Sequence, residues 1–251
     1  MSIRPQGFSE AGISTRQFDY WVSFLQQSGD YQLLWSGDSE PGLGRLWSRP
    51  GPVARECLLA SPATEAGFIR LFEATTEPLV EIRRDARSWD SGGIFDLDIR
   101  VPAVMEYVKP LHQQGWTDFS PQVDWPFGDL QVREWLTSGP DAVVLALIQR
   151  LAPPLEGFDG LNGFSHVFNS SQIVADIERA LDFYQRLGFQ IVLHHEGPLG
   201  GRGGEVLGLP ADEAPQTAVD LVILHPQGTM AGSVELLAYK DRAGKDLSAL
   251  G

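Results

Sequence analysis

Cysteine occurs once in this chain, as Cys57, so no intramolecular disulfide can form and stability has to come from a packed core. Long apolar runs are missing too. Stretches such as Val143–Ile148 fall far short of the roughly 20 residues that span a bilayer, which predicts no transmembrane helix and no membrane partner. The opening MSIRPQGFSE lacks the apolar segment of a secretory signal, so the cytoplasm is the expected compartment. Basic residues are scarce: 19 Lys and Arg stand against 33 Asp and Glu, for a net charge of -14. Such a field repels phosphate backbones and argues against nucleic acid as a partner. What the 251 residues do hold is 43% hydrophobic residues with 27 Gly and 17 Pro, the makeup of a turn-rich globular chain.

One element order recurs three times. GFSEAGIS reads as a strand, the amphipathic stretch Thr15 to Ser28 as a helix, Gly29 as its stop and YQLLW as a second strand. The order returns as IFDLDIRV, a helix from about Ala103 to Gln114, Gly115 and a less regular Trp116 to Val123. It returns again as GFSHVFNS, IVADIERALDFYQRL, Gly188 and FQIVLHH. Each helix ends on a glycine, which suits the left-handed position beyond a helix C-terminus. Two further strands follow each time: ARECLLA and GFIRLFEA, LQVREWLT and AVVLALIQR, AVDLVILH and SVELLAYK. The expected fold is therefore α+β, built of βαβββ modules at residues 1–90, 91–155 and 156–251.

A sheet with one helix covers one of its faces, so the other face must meet a second module or line a cavity. Strand alternation in the third module places Phe164, His166 and Phe168 on one face, and Ser233, Glu235, Leu237 and Tyr239 on one face of its last strand. The open face is then expected to carry His166 and Glu235, a ligand pair suited to a divalent ion such as Zn, Fe, Mn or Ni.

FSHVFNSSQIVADIERALDFYQRLGFQIV and SVELLAYK resemble the first strand, helix and second strand, and the last strand, of the vicinal oxygen chelate superfamily, which includes glyoxalase I, extradiol dioxygenases and bleomycin resistance proteins. The resemblance implies modules paired into curved half-barrels with helices outside. It also implies metal ligands from first and last strands, here His166 and Glu235, with Glu235 as the general base. The same correspondence puts Glu10 and Arg70, and Asp96 and Leu145, at the ligand positions of the first two modules. Those two are expected to pair without metal, with Arg70 neutralising Glu10 and Asp96. The third module then needs a partner, either a fourth module or a second copy in a homodimer whose site is shared.

The implied function is a metal-dependent lyase or isomerase of the glyoxalase type, chelating vicinal oxygens of a small molecule and stabilising an enolate. The alternative is a small-molecule sequestering protein of the bleomycin-resistance type, and the third is an extradiol-type dioxygenase. Phe164, Phe168 and Tyr239 are candidate cleft walls, and Arg202 a contact for an anionic substrate from GPLGGRGG, read as a mobile loop over the mouth. Of His194 and His195, consecutive in a strand, one is expected to face the cleft; His225 and His112 are expected to be structural.

Overall fold

The computed structural model describes residues 7–39, 53–62, 64–74, 80–156, 158 and 160–250. The first sheet holds β1 (Glu10–Thr15), β2 (Gln32–Asp38), β3 (Val53–Ala60) and β4 (Phe68–Ala74), in the order β1-β4-β3-β2, with helix α1 (Phe18–Gln27) between β1 and β2. A nine-stranded sheet contains the rest. Its first half is built from β5 (Ile94–Arg100), α2 (Val104–Gln113), β6 (Thr117–Asp118), β7 (Val123–Phe127), β8 (Leu130–Ser138) and β9 (Val144–Ala152). Its second half comprises β10 (Val167–Ile173), α3 (Ile177–Arg186), β11 (Phe189–Pro198), α4 (Gly200–Val206), β12 (Ala218–Pro226) and β13 (Ser233–Ala238). The order across the sheet is β11-β12-β13-β10-β5-β9-β8-β6, and β7 adds to β8.

One internal order, first-fourth-third-second, thus occurs in β1-β4-β3-β2, β5-β9-β8-β6 and β10-β13-β12-β11, with the first strand parallel to the last each time. The seam of the large sheet is the antiparallel pair β5 and β10, with Asn169 opposite Asp98 and Ser171 opposite Asp96. This corrects the expected pairing: the second module closes against the third, not the first. It also removes the need for a second copy, because β10 has both neighbours, β5 and β13, within the chain.

Alternation explains the layers. On β5, Leu97 and Ile99 point outward into a core shared with Leu145 and Leu147 of β9, while Asp96, Asp98 and Arg100 point the other way. The outer core also takes Phe18, Trp21, Phe24 and Leu25 of α1 and Val104 and Leu111 of α2, so the first module is fastened to the back of the second. Aromatic rings carry that joint: Phe24 stacks on Trp116 at 4.8 Å between centroids, and Trp21 meets Trp116 edge-on at 5.7 Å. Tyr31 donates its hydroxyl to the Ser165 carbonyl at 2.7 Å, and Trp21 Nε1 donates to Asp141 Oδ2 at 2.9 Å. Helix α3 starts at Asp176, whose carboxylate accepts from the Arg179 amide, and lays Ile177, Ala180, Leu181 and Tyr184 over Val222, Leu224, Val234 and Leu236. With three helices on the outer faces, the concave face between the second and third modules is left for something else. Among the described residues no helix is long and apolar enough to cross a membrane.

Candidate ligand cavity

That concave face encloses a cavity of about 280 Å³, near the lower end of the usual range for small-molecule sites. Its walls are apolar: Trp125, Val132, Ile148, Phe168, Leu221 and Ile223 come from both halves of the sheet, and Leu199, Val206 and Leu207 close one side. Its floor is charged, with Asp96, Asp98 and Arg100 from β5, Glu134 from β8, Arg150 from β9 and Glu235 from β13. His225 of β12 also lines it, its pKa lowered by burial.

Burial decides the protonation of this floor, because a carboxylate loses hydration that only a partner can replace. Asp96 is pushed well above the usual carboxylate range by burial, then by Asp98 and Glu235; a hydrogen bond from Ser171 opposes this. Glu235 is likewise raised by burial and by the charges of Asp98 and Glu134. Glu134 rises to about 8, again chiefly by burial, although Trp125 Nε1 donates to its Oε2 at 3.0 Å. Asp98 is raised least readily: it accepts the Asn169 amide at 2.7 Å, shares a hydrogen bond with Asp96 and lies near Arg100. Asp98 is thus the carboxyl group on this floor with the most partners favouring its charged form. Arg100 sits over the Phe168 ring, 4.3 Å from its centroid, and burial followed by repulsion from Arg150 brings its pKa down to about 10, still charged at neutrality. The Nε atoms of Arg100 and Arg150 and Oδ1 of Asp96 have no hydrogen-bond partner among the described residues.

The expected metal pair does not meet here. Glu235 lines the cavity, opposite Ser171 in the register of β10 and β13. His166 precedes β10 by one residue, and five residues from Ser171 amount to roughly 15 Å of strand. Its half-buried ring stacks on Phe158 at 6.0 Å, outside the cavity lining. His166 lies ahead of the strand, and a bulge follows it. Register slips between Val167 and Asn169, so Val167 is in the outer core while both Phe168 and Asn169 line the cavity. Strict alternation counts Phe164, His166 and Phe168 as one face, but Phe164 and His166 precede β10, and Phe164 and Val167 are both in the outer core. Tyr239 packs in the inner one, its hydroxyl without a hydrogen-bond partner among the described residues.

Other expectations are redistributed as well. The GPLGGRGG stretch ends β11 and opens α4 at Gly200, and its glycines admit close packing: a Cβ on Gly204 would fall 2.8 Å from the Ala214 Cβ. Arg202 points into solvent and pairs with Glu205 at 3.2 Å. His194 contacts Asp220 at 2.9 Å and His195 the Gly197 carbonyl at 3.1 Å; neither lines the cavity, and His225 does. Arg70 binds Glu10 through two hydrogen bonds of 2.7 and 2.8 Å, but its other partner is Glu56 at 3.2 Å, because Asp96 belongs to the cavity. Leu145, placed at a ligand position, is in the outer core.

Donor chemistry does not fit the implied metal. Among the described residues no three His, Cys, Asp or Glu side chains converge where they could hold an ion. The amide of Asn169 is committed as a donor to Asp98, and Arg100 and Arg150 already bring two positive charges to the carboxylates.

The strand order and the cavity between paired concave faces define a vicinal oxygen chelate fold. The chain is similar to glyoxalase I from Zea mays at 13% identity and a TM-score of 0.61, covering 94% of this chain and 69% of that one. A variant of the same maize enzyme gives 14% and 0.62, covering 94% and 70%. A proposed dioxygenase from Bacillus subtilis gives 11% and 0.58, covering 96% and 66%. No protein-family model matches the sequence, and no curated protein matches it.

Proposed function

We propose that this protein binds a small, largely apolar organic molecule in the cavity between its second and third modules, without a divalent ion. Of the readings open at the sequence level, the sequestering one is supported over the metal-dependent lyase, isomerase or dioxygenase. The observation that carries it is the composition of the cavity: continuous apolar walls around a floor of two arginines and carboxyl groups whose side chains do not converge on an ion. A pocket with apolar walls and a few placed polar groups is the usual form of a small-molecule site.

The test is a titration of chelator-treated protein with cinnamyl alcohol, followed by tryptophan fluorescence, since Trp125 is part of the wall. Saturable binding is expected, and Ile223→Trp, which fills the cavity from β12, is expected to abolish it while the fold persists by circular dichroism. Binding unaffected by Ile223→Trp, or binding that requires added Zn or Mn, would overturn the reading.

A further inference from the structure

The cavity floor asks for more than an apolar ligand. Arg100 is 6% exposed, with its guanidinium carbon 4.3 Å from the Phe168 ring centroid, Nη2 donating to Met230 Sδ at 3.8 Å and Nε without a partner among the described residues; Arg150 Nε on the neighbouring strand also has none. A buried guanidinium with an unused donor has lost hydration without regaining a hydrogen bond. The groups facing it are Asp96 and Asp98 on β5, Glu134 on β8, Glu235 on β13 and His225 on β12. Counted as four carboxylates against two guanidinium groups, the floor is negative and would attract a cation. Burial, however, raises the pKa of all four carboxyl groups, whereas Arg100 and Arg150 each keep an Nε donor with no partner among the described residues, so the unused donors on this floor call for an acceptor. A planar anion supplies one.

Resting on the cavity reading above, we propose that the ligand is a small apolar carboxylic acid whose carboxylate is bound by Arg100 and Arg150 and whose body lies against Trp125, Val132, Ile148 and Ile223. The guanidinium fork matches a carboxylate in shape, and such charge-assisted bonds are the strong ones in a low-dielectric pocket. The apolar walls exclude a small hydrophilic anion such as inorganic phosphate, which has nothing to offer them.

The test compares cinnamate, cinnamyl alcohol and cinnamylamine, which share one body and differ in charge, on the whole chain at neutral pH by calorimetric titration. Cinnamate is expected to bind at least roughly tenfold more tightly than the alcohol, and the amine more weakly than either. Arg150→Met is expected to erase the preference for cinnamate over the alcohol, with circular dichroism and thermal unfolding showing that the variant keeps its fold. Equal affinity for acid and alcohol, or tighter binding of the amine, overturns the proposal and leaves the cavity reading standing. Failure of all three molecules to bind overturns both.

Discussion

Glu134 is the residue at which the cavity's chemistry can be read most simply in solution. Its pKa of about 8, against an ordinary 4.5, means that the folded state holds a proton that the unfolded state releases at lower pH. The stabilising effect of that proton is complete below about 4.5 and is lost as pH rises through about 8, at up to about 1.4 kcal/mol per pH unit. Glu134→Gln keeps an acceptor for Trp125 Nε1 and removes the titration. Denaturant unfolding is expected to show the wild type losing stability across this window and the variant flattening the profile; parallel profiles would mean that Glu134 titrates normally. Asp96 and Glu235 are raised in the same direction, so the glutamine variant flattens the slope only in part. At this scale the sequence was half legible. Glu235 was found because SVELLAYK alternates cleanly and its strand is regular. Asn169 is hidden by the bulge at Val167 to Asn169, which leaves no mark in a periodicity count, whereas Asp98 and Arg100 share the face of Asp96 by simple alternation on β5 and become site residues only once β5 is seen to pair with β10.

Among the elements, α4 shows how composition can mislead. Five residues in GPLGGRGG are glycines, which argues for a loop on propensity, since glycine costs about 1 kcal/mol per helical position. Packing overrides this: Gly203 lies where a Cβ would meet Trp125 at 3.4 Å and Leu199 at 2.8 Å, and Gly204 abuts Ala214. Close approach to Leu199 and Ala214 leaves no room for a Cβ at Gly203 or Gly204, and this packing brings Leu199, Val206 and Leu207 to the cavity. Gly204→Ala is expected to lower stability by about 1–3 kcal/mol in thermal or denaturant unfolding, despite its better helix propensity; a gain would show the contact to be loose. Gly67 plays a related part at the first module's seam. Its positive φ of 71° and the approach of a built Cβ to 2.2 Å from the Val167 carbonyl let β4 enter directly beside the start of β10, where the Val167 amide donates to the Gly67 carbonyl. Long amphipathic helices and regular strands were readable from the sequence to within a few residues. The short strand β6 and the added strand β7 were not, because neither carries a clean alternating pattern.

At the scale of the molecule, the recurring strand order was legible and the pairing of the modules was not. Pairing depends on which open faces suit each other, and the sequence places Glu10 and Arg70 beside Asp96 only if neighbours in sequence are taken as neighbours in space. The structure instead pairs Arg70 with Glu10 and Glu56 on the first sheet, and joins the second and third modules along β5 and β10. The cavity is thereby completed within one chain. That closure also sets the metal question: the ligand positions implied by resemblance fall on a strand end, an outer core and a floor that already carries two arginines. The most direct measurement is the metal content of the chain after equilibration with Mn, Fe, Ni and Zn in turn, followed by gel filtration and elemental mass spectrometry. Far less than one bound ion per chain is expected for every metal. About one ion per chain, lost in Glu235→Ala, would contradict the metal-free cavity and restore the glyoxalase-type reading.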